Sequence, residues 1–351
     1  LKKILFIALA AILALSVGLV GCGGTEGEGE GETVWNYTIT LHMHSTAMIY
    51  TSLFKSVYQP WIWEVGNDTG PDGGKFVFNV TFGEGLYTPE TSLDAISAGT
   101  ADLGQISGDV FDLGGIGYLP WFFPNMSSTA YSTHILLTEN WDAQGELDDI
   151  KVLITSPLQP NQWFGNVNVT ELANFTTPVQ LDVRAETAEV PTIEALGANA
   201  IPGISTGDLA NALNLSTVDG CFFTYSGALA FGIKDVTSYT TEVNLYPRLY
   251  ILGMNKAIYD ALPADAKTLL DSHCTPTISA GYARAHELAQ TGAKMGVGLS
   301  RIYVLPTPEL NNWKAACANV SSDWATEMDG LGYNGTGILD RALELISATP
   351  L

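Results

Sequence analysis

Apolar and polar positions alternate from Tyr37 to Met43, the pattern of a half-buried strand. From Ile49 to Val65 the period lengthens, with Phe54, Tyr58 and Trp61 as aromatic anchors of a helix. Phe76 to Phe82 predicts a second strand. Thr88-Pro89-Glu90 opens a second helix, with proline at or near its first position, and that helix ends near Gly99. Asp102 to Ser107 predicts a third strand, 128–139 a helix, and Lys151 to Ser156 another strand. This β-α-β-α-β order argues an α/β sheet with helices on its faces.

The second half repeats the grammar. Strands are expected over Trp163–Val169, Val179–Arg184, Asn199–Pro202 and Val218–Tyr225, and helices over Thr192–Leu196 and Asp208–Leu215. Residues 95–102, AISAGTAD, align with residues 212–219, ALNLSTVD, which suggests a duplicated unit. The shared feature is a helix end, a tight turn and the entry to a buried strand. Gly99 suits a left-handed cap, and Ser216 suits it less well. From Pro263 to about Arg301 the spacing predicts one long helix, or two in line. A helix of roughly 35–40 residues would exceed 50 Å and lie as a rod across two lobes. Arg301–Leu305 reads as a short strand, and Pro308–Met328 and Gly337–Ile346 as closing helices.

Composition narrows the class. The chain has 351 residues, 46% of them hydrophobic, enough for two domains with separate cores. Its formal charge is −22, and Lys and Arg are not clustered, which argues against nucleic acid as a partner. An acidic protein that holds an anion needs a local cation, and the chain has five arginines. One of them, Arg184, falls at the end of a short strand-like run.

The N-terminus carries Lys2-Lys3, then an apolar run from Ile4 to Val17, then Leu19-Val20-Gly21-Cys22. This pattern is that of a bacterial lipoprotein signal over 1–21, with Cys22 as the lipidated residue. An uncleaved anchor is the alternative, although the run is short for a span. Residues 22–33 are a Gly/Glu tether unable to bury apolar surface. The expected location is therefore the outer face of the cell membrane, by lipid anchor, or the periplasm. In such an oxidising space Cys274 and Cys317 are the likelier disulfide pair, with three buried thiols as the alternative. The Asn-x-Ser/Thr triplets at Asn36, Asn79, Asn168 and Asn334 are read as chance behind such a signal.

Several constellations bear on chemistry. A planar guanidinium at Arg184 would hold a carboxylate bidentately, or else serve a structural salt bridge. In the strand after Val218, alternation puts Phe223 and Tyr225 on one face and Phe222 on the other. One face is core, and the other can stack on a ligand, with Tyr225 or Ser226 offering a hydroxyl. His42-x-His44 lacks the nearby acid or thiol that would complete a metal set, and His44 is better placed as a hydrogen-bond donor. Gly117–Pro124, GYLPWFFP, is either a plug under the sheet or one wall of an apolar cleft, with Trp121 in that wall. Gly203-Ile204-Ser205-Thr206-Gly207 matches G-x-S-x-G, but Pro202 precedes it where a nucleophile elbow needs a strand. A serine hydrolase using Ser205 is thus a rival reading. A sensory lipoprotein is another.

In order and spacing, LDAISAGTADLGQIS, YLPWFF, PVQLDVRA, ALGANAIP, LANALNLSTVDG and NKAIYDALPADAKTLL resemble the extracytoplasmic solute-binding proteins of tripartite ATP-independent periplasmic (TRAP) transporters, the DctP-like group. The resemblance covers nearly all of the chain beyond the leader. It implies a periplasmic-binding-protein-like α/β fold, two lobes and a hinged cleft that closes on an organic acid. It also implies no enzymatic activity, no cofactor and a membrane permease as partner. Lobe I would comprise 34–157 plus about 248–285, and lobe II 158–247 plus about 286–351. The family's carboxylate-binding arginine falls on Arg184. The remaining expected ligand contacts are Phe222, Tyr225, Ser226, His44, Trp121, Trp163 and Asn161.

Two departures narrow the ligand. Many members carry a basic residue just after a glycine in the preceding strand, where this chain has Gly165-Asn166-Val167. Members that bind 2-oxo acids through a metal have an acid and Trp where this chain has Phe222-Phe223. A monocarboxylate with an apolar or aromatic body fits what remains.

Overall fold

A computed structural model describes residues 35–46, 51–139, 141 and 144–349. The expected leader, Cys22 and the tether lie outside the described residues, as does the start of the helix expected from Ile49.

Eleven strands among the described residues form two sheets. The first sheet has the order β2-β1-β3-β10-β4, from β1 (Thr38–Ser45), β2 (Lys75–Phe82), β3 (Leu103–Ser107), β4 (Ile150–Thr155) and β10 (Tyr250–Asn255). The second has the order β11-β9-β5-β8-β6-β7. Its strands are β5 (Gln162–Gly165), β6 (Asp182–Arg184), β7 (Asn199–Ile201), β8 (Gly220–Phe223), β9 (Tyr239–Glu242) and β11 (Ile302–Val304).

Five strands of each sheet follow one plan. A parallel trio, β2-β1-β3 or β7-β6-β8, meets an antiparallel strand, β10 or β5, which pairs in turn with β4 or β9. The antiparallel strands are exchanged. β5 follows β4 in the chain but joins the second sheet, and β10 follows β9 but joins the first. The two resulting crossovers, 156–161 and 243–249, hydrogen-bond to each other. Leu245 N donates to Asn161 O at 3.0 Å, Asn161 N to Tyr246 O at 3.0 Å, and Leu158 N to Arg248 O at 2.8 Å.

The expected long helix is two helices, Ala264–Ser272 and Pro276–Val297. Pro276 cannot continue a helix begun upstream, and it drives Thr275 to extended backbone (φ −109, ψ 156), where its side chain caps Ile278 N. The second helix has 22 residues, about 33 Å, and still crosses between the sheets. At its start Ser279 Oγ bonds His134 Nδ1 at 2.8 Å and accepts from Thr155 N at 3.1 Å. At its end Lys294 pairs with Glu242 of β9, and Gly296 lies against Leu229. The stretch expected as one helix from Pro308 to Met328 is likewise split, into Thr307–Ala316 and Val320–Gly330. The last helix, Gly335–Ala348, pairs Arg341 with Glu139 at 2.6 Å, so it rests on the helix Met126–Thr138 beside the first sheet.

Pro60 also leaves a mark. It has no N–H to return to the preceding turn, and a π-helical turn over Phe54–Tyr58 leads into the helix Gln59–Asn67. The described cysteines are free thiols with no Cys274–Cys317 bridge, Cys221 and Cys317 buried as expected of thiols and Cys274 half-buried.

Candidate functional site

A cleft of about 640 Å³, its open mouth included, lies between the sheets. Thr46, Thr51, Leu53, Pro89 and Gln105 line it from the first lobe, and Thr206, Phe223, Ser226 and Phe231 from the second. Arg248, in the return crossover, and Tyr250, at the start of β10, complete the wall.

β6 and β8 run parallel, with Arg184 opposite Cys221. Arg184 is 2% exposed. Its Nε donates to Ile204 O at 3.1 Å and its Nη1 to Glu186 Oε1 at 3.1 Å, with Glu189 Oε2 at 3.8 Å. Nη2 makes no hydrogen bond among the described residues.

Beside it stands Arg248, which the sequence analysis did not single out. Its Nη1 donates to Glu186 Oε1 at 2.7 Å, its Nε to Glu189 Oε1 at 2.8 Å, and its Nη2 to Phe222 O at 3.3 Å. The guanidinium also sits 5.0 Å from the centre of the Phe223 ring. Two buried arginines thus face the buried Glu189 and the mostly buried Glu186, and the charges balance where isolated ones would be costly. Glu186 and Glu189 reach this position because both belong to one tight turn, Glu186 N donating to Glu189 Oε2 at 2.8 Å.

Burial raises Glu189 above the usual carboxylate range, with Arg248 opposing. For Glu186 burial acts the same way, but Arg248 and Arg184 outweigh it and hold the group low. Burial, then the charge of Glu186, lifts Asp109 to about 6 against a hydrogen bond from Ser107 and the attraction of Arg248. A third acid at this network therefore keeps its proton to unusually high pH.

The other expected contacts scatter. Ser226 lines the cleft, its Oγ donating to Gln159 Oε1 at 3.1 Å. Phe222 instead faces the core, between Trp163, Phe175 and Trp313, and Trp163 is fully buried beside it. Phe223 is the aromatic on the cleft. Tyr225 does not share its face, because β8 stops at Phe223 and Tyr225 begins a helix, so alternation ends there. The Tyr225 hydroxyl donates to Glu242 Oε2 at 2.6 Å. Asn161 is buried at the first crossover, 3.4 Å from Glu189 Oε1. His44 is buried, its Nδ1 2.7 Å from Thr81 Oγ1 and its ring edge-on to Tyr87. Trp121 lies outside the cleft, where its Nε1 donates to Val243 O at 3.0 Å. GYLPWFFP is therefore no wall of this cleft.

Ser205 is not set up as a nucleophile. Its Oγ donates to Asp208 Oδ2 at 2.8 Å and accepts from Asp208 N at 3.1 Å, a turn-capping arrangement. Arg248 and Phe223 could have been suspected from sequence, the first as one of five arginines and the second by shifting the strand end two residues.

Comparison with known proteins agrees with this architecture. The model of the DctP family, bacterial extracellular solute-binding protein family 7, matches residues 72–327. No protein of curated function matches the chain. In fold, the chain is similar to a TRAP solute-binding protein from Rhodoferax ferrireducens T118 in complex with copurified benzoate. That match has a TM-score of 0.80 and 22% identity, and covers 89% of this chain and 98% of the other. A marine metagenome TRAP protein specific for aromatic acid ligands, with 3-hydroxybenzoate, gives 0.78 and 20%, covering 90% and 100%. One from Bordetella bronchiseptica, with (R)- and (S)-mandelate, gives 0.77 and 15%, covering 89% and 100%. These matches give the periplasmic-binding-protein-like fold, and the relatives are binding proteins rather than enzymes. The chain belongs to the DctP family of bacterial extracellular solute-binding proteins.

Proposed function

We propose that the cleft captures an organic monocarboxylate with an apolar or aromatic body and delivers it to the membrane permease of a TRAP transporter. Arg184 takes the carboxylate, and Phe223 and Phe231 face the body. The single observation that carries this reading is Arg184 Nη2, a charged donor without a hydrogen bond among the described residues, on a guanidinium already fixed through Nε and Nη1. A pre-held cation loses little freedom on binding, so most of its interaction appears as affinity. Cys22 is read as the lipid anchor and 23–33 as the tether that floats the binding domain off the membrane. No helix among the described residues is long and apolar enough to cross a membrane. Binding of benzoate, 3-hydroxybenzoate and mandelate by proteins of similar fold supports the ligand class.

The test is a panel of carboxylates, with melting temperature as the readout. A matching acid should raise it by mass action. Arg184→Ala should weaken binding at least about thirtyfold. An undiminished shift in a variant whose unliganded melt shows it folded would sink the assignment.

A further inference from the structure

A second concavity lies on the crossovers, away from the cleft. No residue lines both. It encloses about 570 Å³ with its open mouth, within the range of small-molecule sites. Trp121, Phe123, Pro160 and Pro247 form its walls, and Lys314 stands at its edge. This is where the expected ligand contact Trp121 went.

Three observations distinguish it from an ordinary surface hollow. First, Trp121 and Asn244 both line it, and both have left-handed backbone (φ 51 and 48) without being glycine. Such conformations persist only where surroundings enforce them, and they gather at functional sites. Here Trp121 is enforced by N–H to Leu245 O at 2.8 Å and Nε1–H to Val243 O at 3.0 Å. Second, three prolines, Pro124, Pro160 and Pro247, stiffen the walls, so the hollow is preformed. Third, the Lys314 ammonium sits 5.8 Å from the centre of the Trp121 ring. It has no carboxylate partner among the described residues, in a chain of charge −22. A cation left without an acid in so acidic a protein, over an aromatic wall, is complementary to an anion with a flat apolar body.

We infer that this hollow is a second binding site, for a small carboxylate whose planar body lies between Trp121 and the prolines while its charge meets Lys314. Its residues are independent of the cleft, so it stands whether or not Arg184 anchors a ligand.

The probe is 4-fluorobenzoate, titrated into the full-length protein and observed by fluorine NMR. The expected result is a bound population that Lys314→Glu weakens about fivefold or more and Lys314→Arg preserves. That population should persist in Arg184→Ala. Lys314 is exposed, so its variants should fold, and matching thermal melts check this. A single population lost in Lys314→Glu and kept in Arg184→Ala supports the second site while removing the cleft reading. A single population lost in Arg184→Ala and untouched by Lys314→Glu overturns the second site. Absence of any bound probe at millimolar concentration overturns it too.

Discussion

The turn over residues 95–102 and the turn over 212–219 are the same object built twice. Thr100 N reaches Ala95 O at 2.9 Å, and Thr217 N reaches Ala212 O at 2.9 Å. Gly99 and Ser216 occupy the same left-handed position, at φ 75 and 54. Asp102 N bonds His42 O and returns its carboxylate to His42 N, while Asp219 does the same to Asp182. Strand register extends the match, since His44 stands opposite Gly104 as Arg184 stands opposite Cys221. Beyond the strands even the exit is repeated: Ser107 donates to Asp109, and Thr224 Oγ1 lies 3.3 Å from Ser226 Oγ. The chemistry is not repeated. One lobe places a histidine and a half-buried acid where the other places an arginine and a hydroxyl. A duplicated scaffold thus supplies equivalent positions, and the two copies fill them with different chemistry.

The largest break in this equivalence is steric. Leu103 starts β3 fully buried, and its counterpart Gly220 starts β8 where an added Cβ would come within 2.2 Å of the Trp163 ring. Leu103→Ala should cost about 2–5 kcal/mol by leaving a cavity. Gly220→Ala should cost about 1–3 kcal/mol by overpacking. Denaturant melts check both, and a harmless Gly220→Ala would show that Trp163 has room to move.

The next difference is electrostatic. Asp109 titrates near 6 in the folded protein, above the ordinary value of 3.8. Between those values the folded chain holds a proton that the unfolded chain releases, so this group removes stability as pH rises, fully so above about 6. Asp109→Ser, which copies the other lobe, should therefore gain on the parent by on the order of 3 kcal/mol between pH 4 and pH 7. Melts at the two pH values read the difference. A gain independent of pH would place the proton elsewhere.

The smallest difference is conformational. Ser216→Gly should stabilise by about 1 kcal/mol, and Gly99→Ala should destabilise by about the same, because only glycine takes left-handed backbone without cost. Chemical denaturation at one pH is sufficient to detect either.

Local features of this architecture were legible in the sequence. Alternation and turn residues located the parallel trios, and the AISAGTAD echo located the duplicated turn, because these depend on neighbours a few residues apart. The position of Arg184 at a strand end was legible for the same reason. What depends on distant pairing was not. β10 went unmarked because Tyr250–Asn255 is buried along its whole length and shows no alternation. The role of Arg248 depends on Glu186 and Glu189, about 60 positions away in the chain. Phe222 and Phe223 were adjacent candidates, and only the end of β8 decides which faces the cleft. Of the two arrangements expected from Pro263, one helix or two in line, Thr275-Pro276 selects the second.

The exchanged strands also set a schedule for the molecule's assembly. Among the described residues β10 alone links β3 and β4 in the first sheet. A chain emerging N-terminus first has made the first four strands by Thr155, yet it cannot join them into one sheet until residue 255 is available. The sheet that starts first therefore closes only after five strands of the second, β5 to β9, have been made, and a chain cut anywhere between the two crossovers leaves an incomplete first sheet behind it. Such long-range closure is slow.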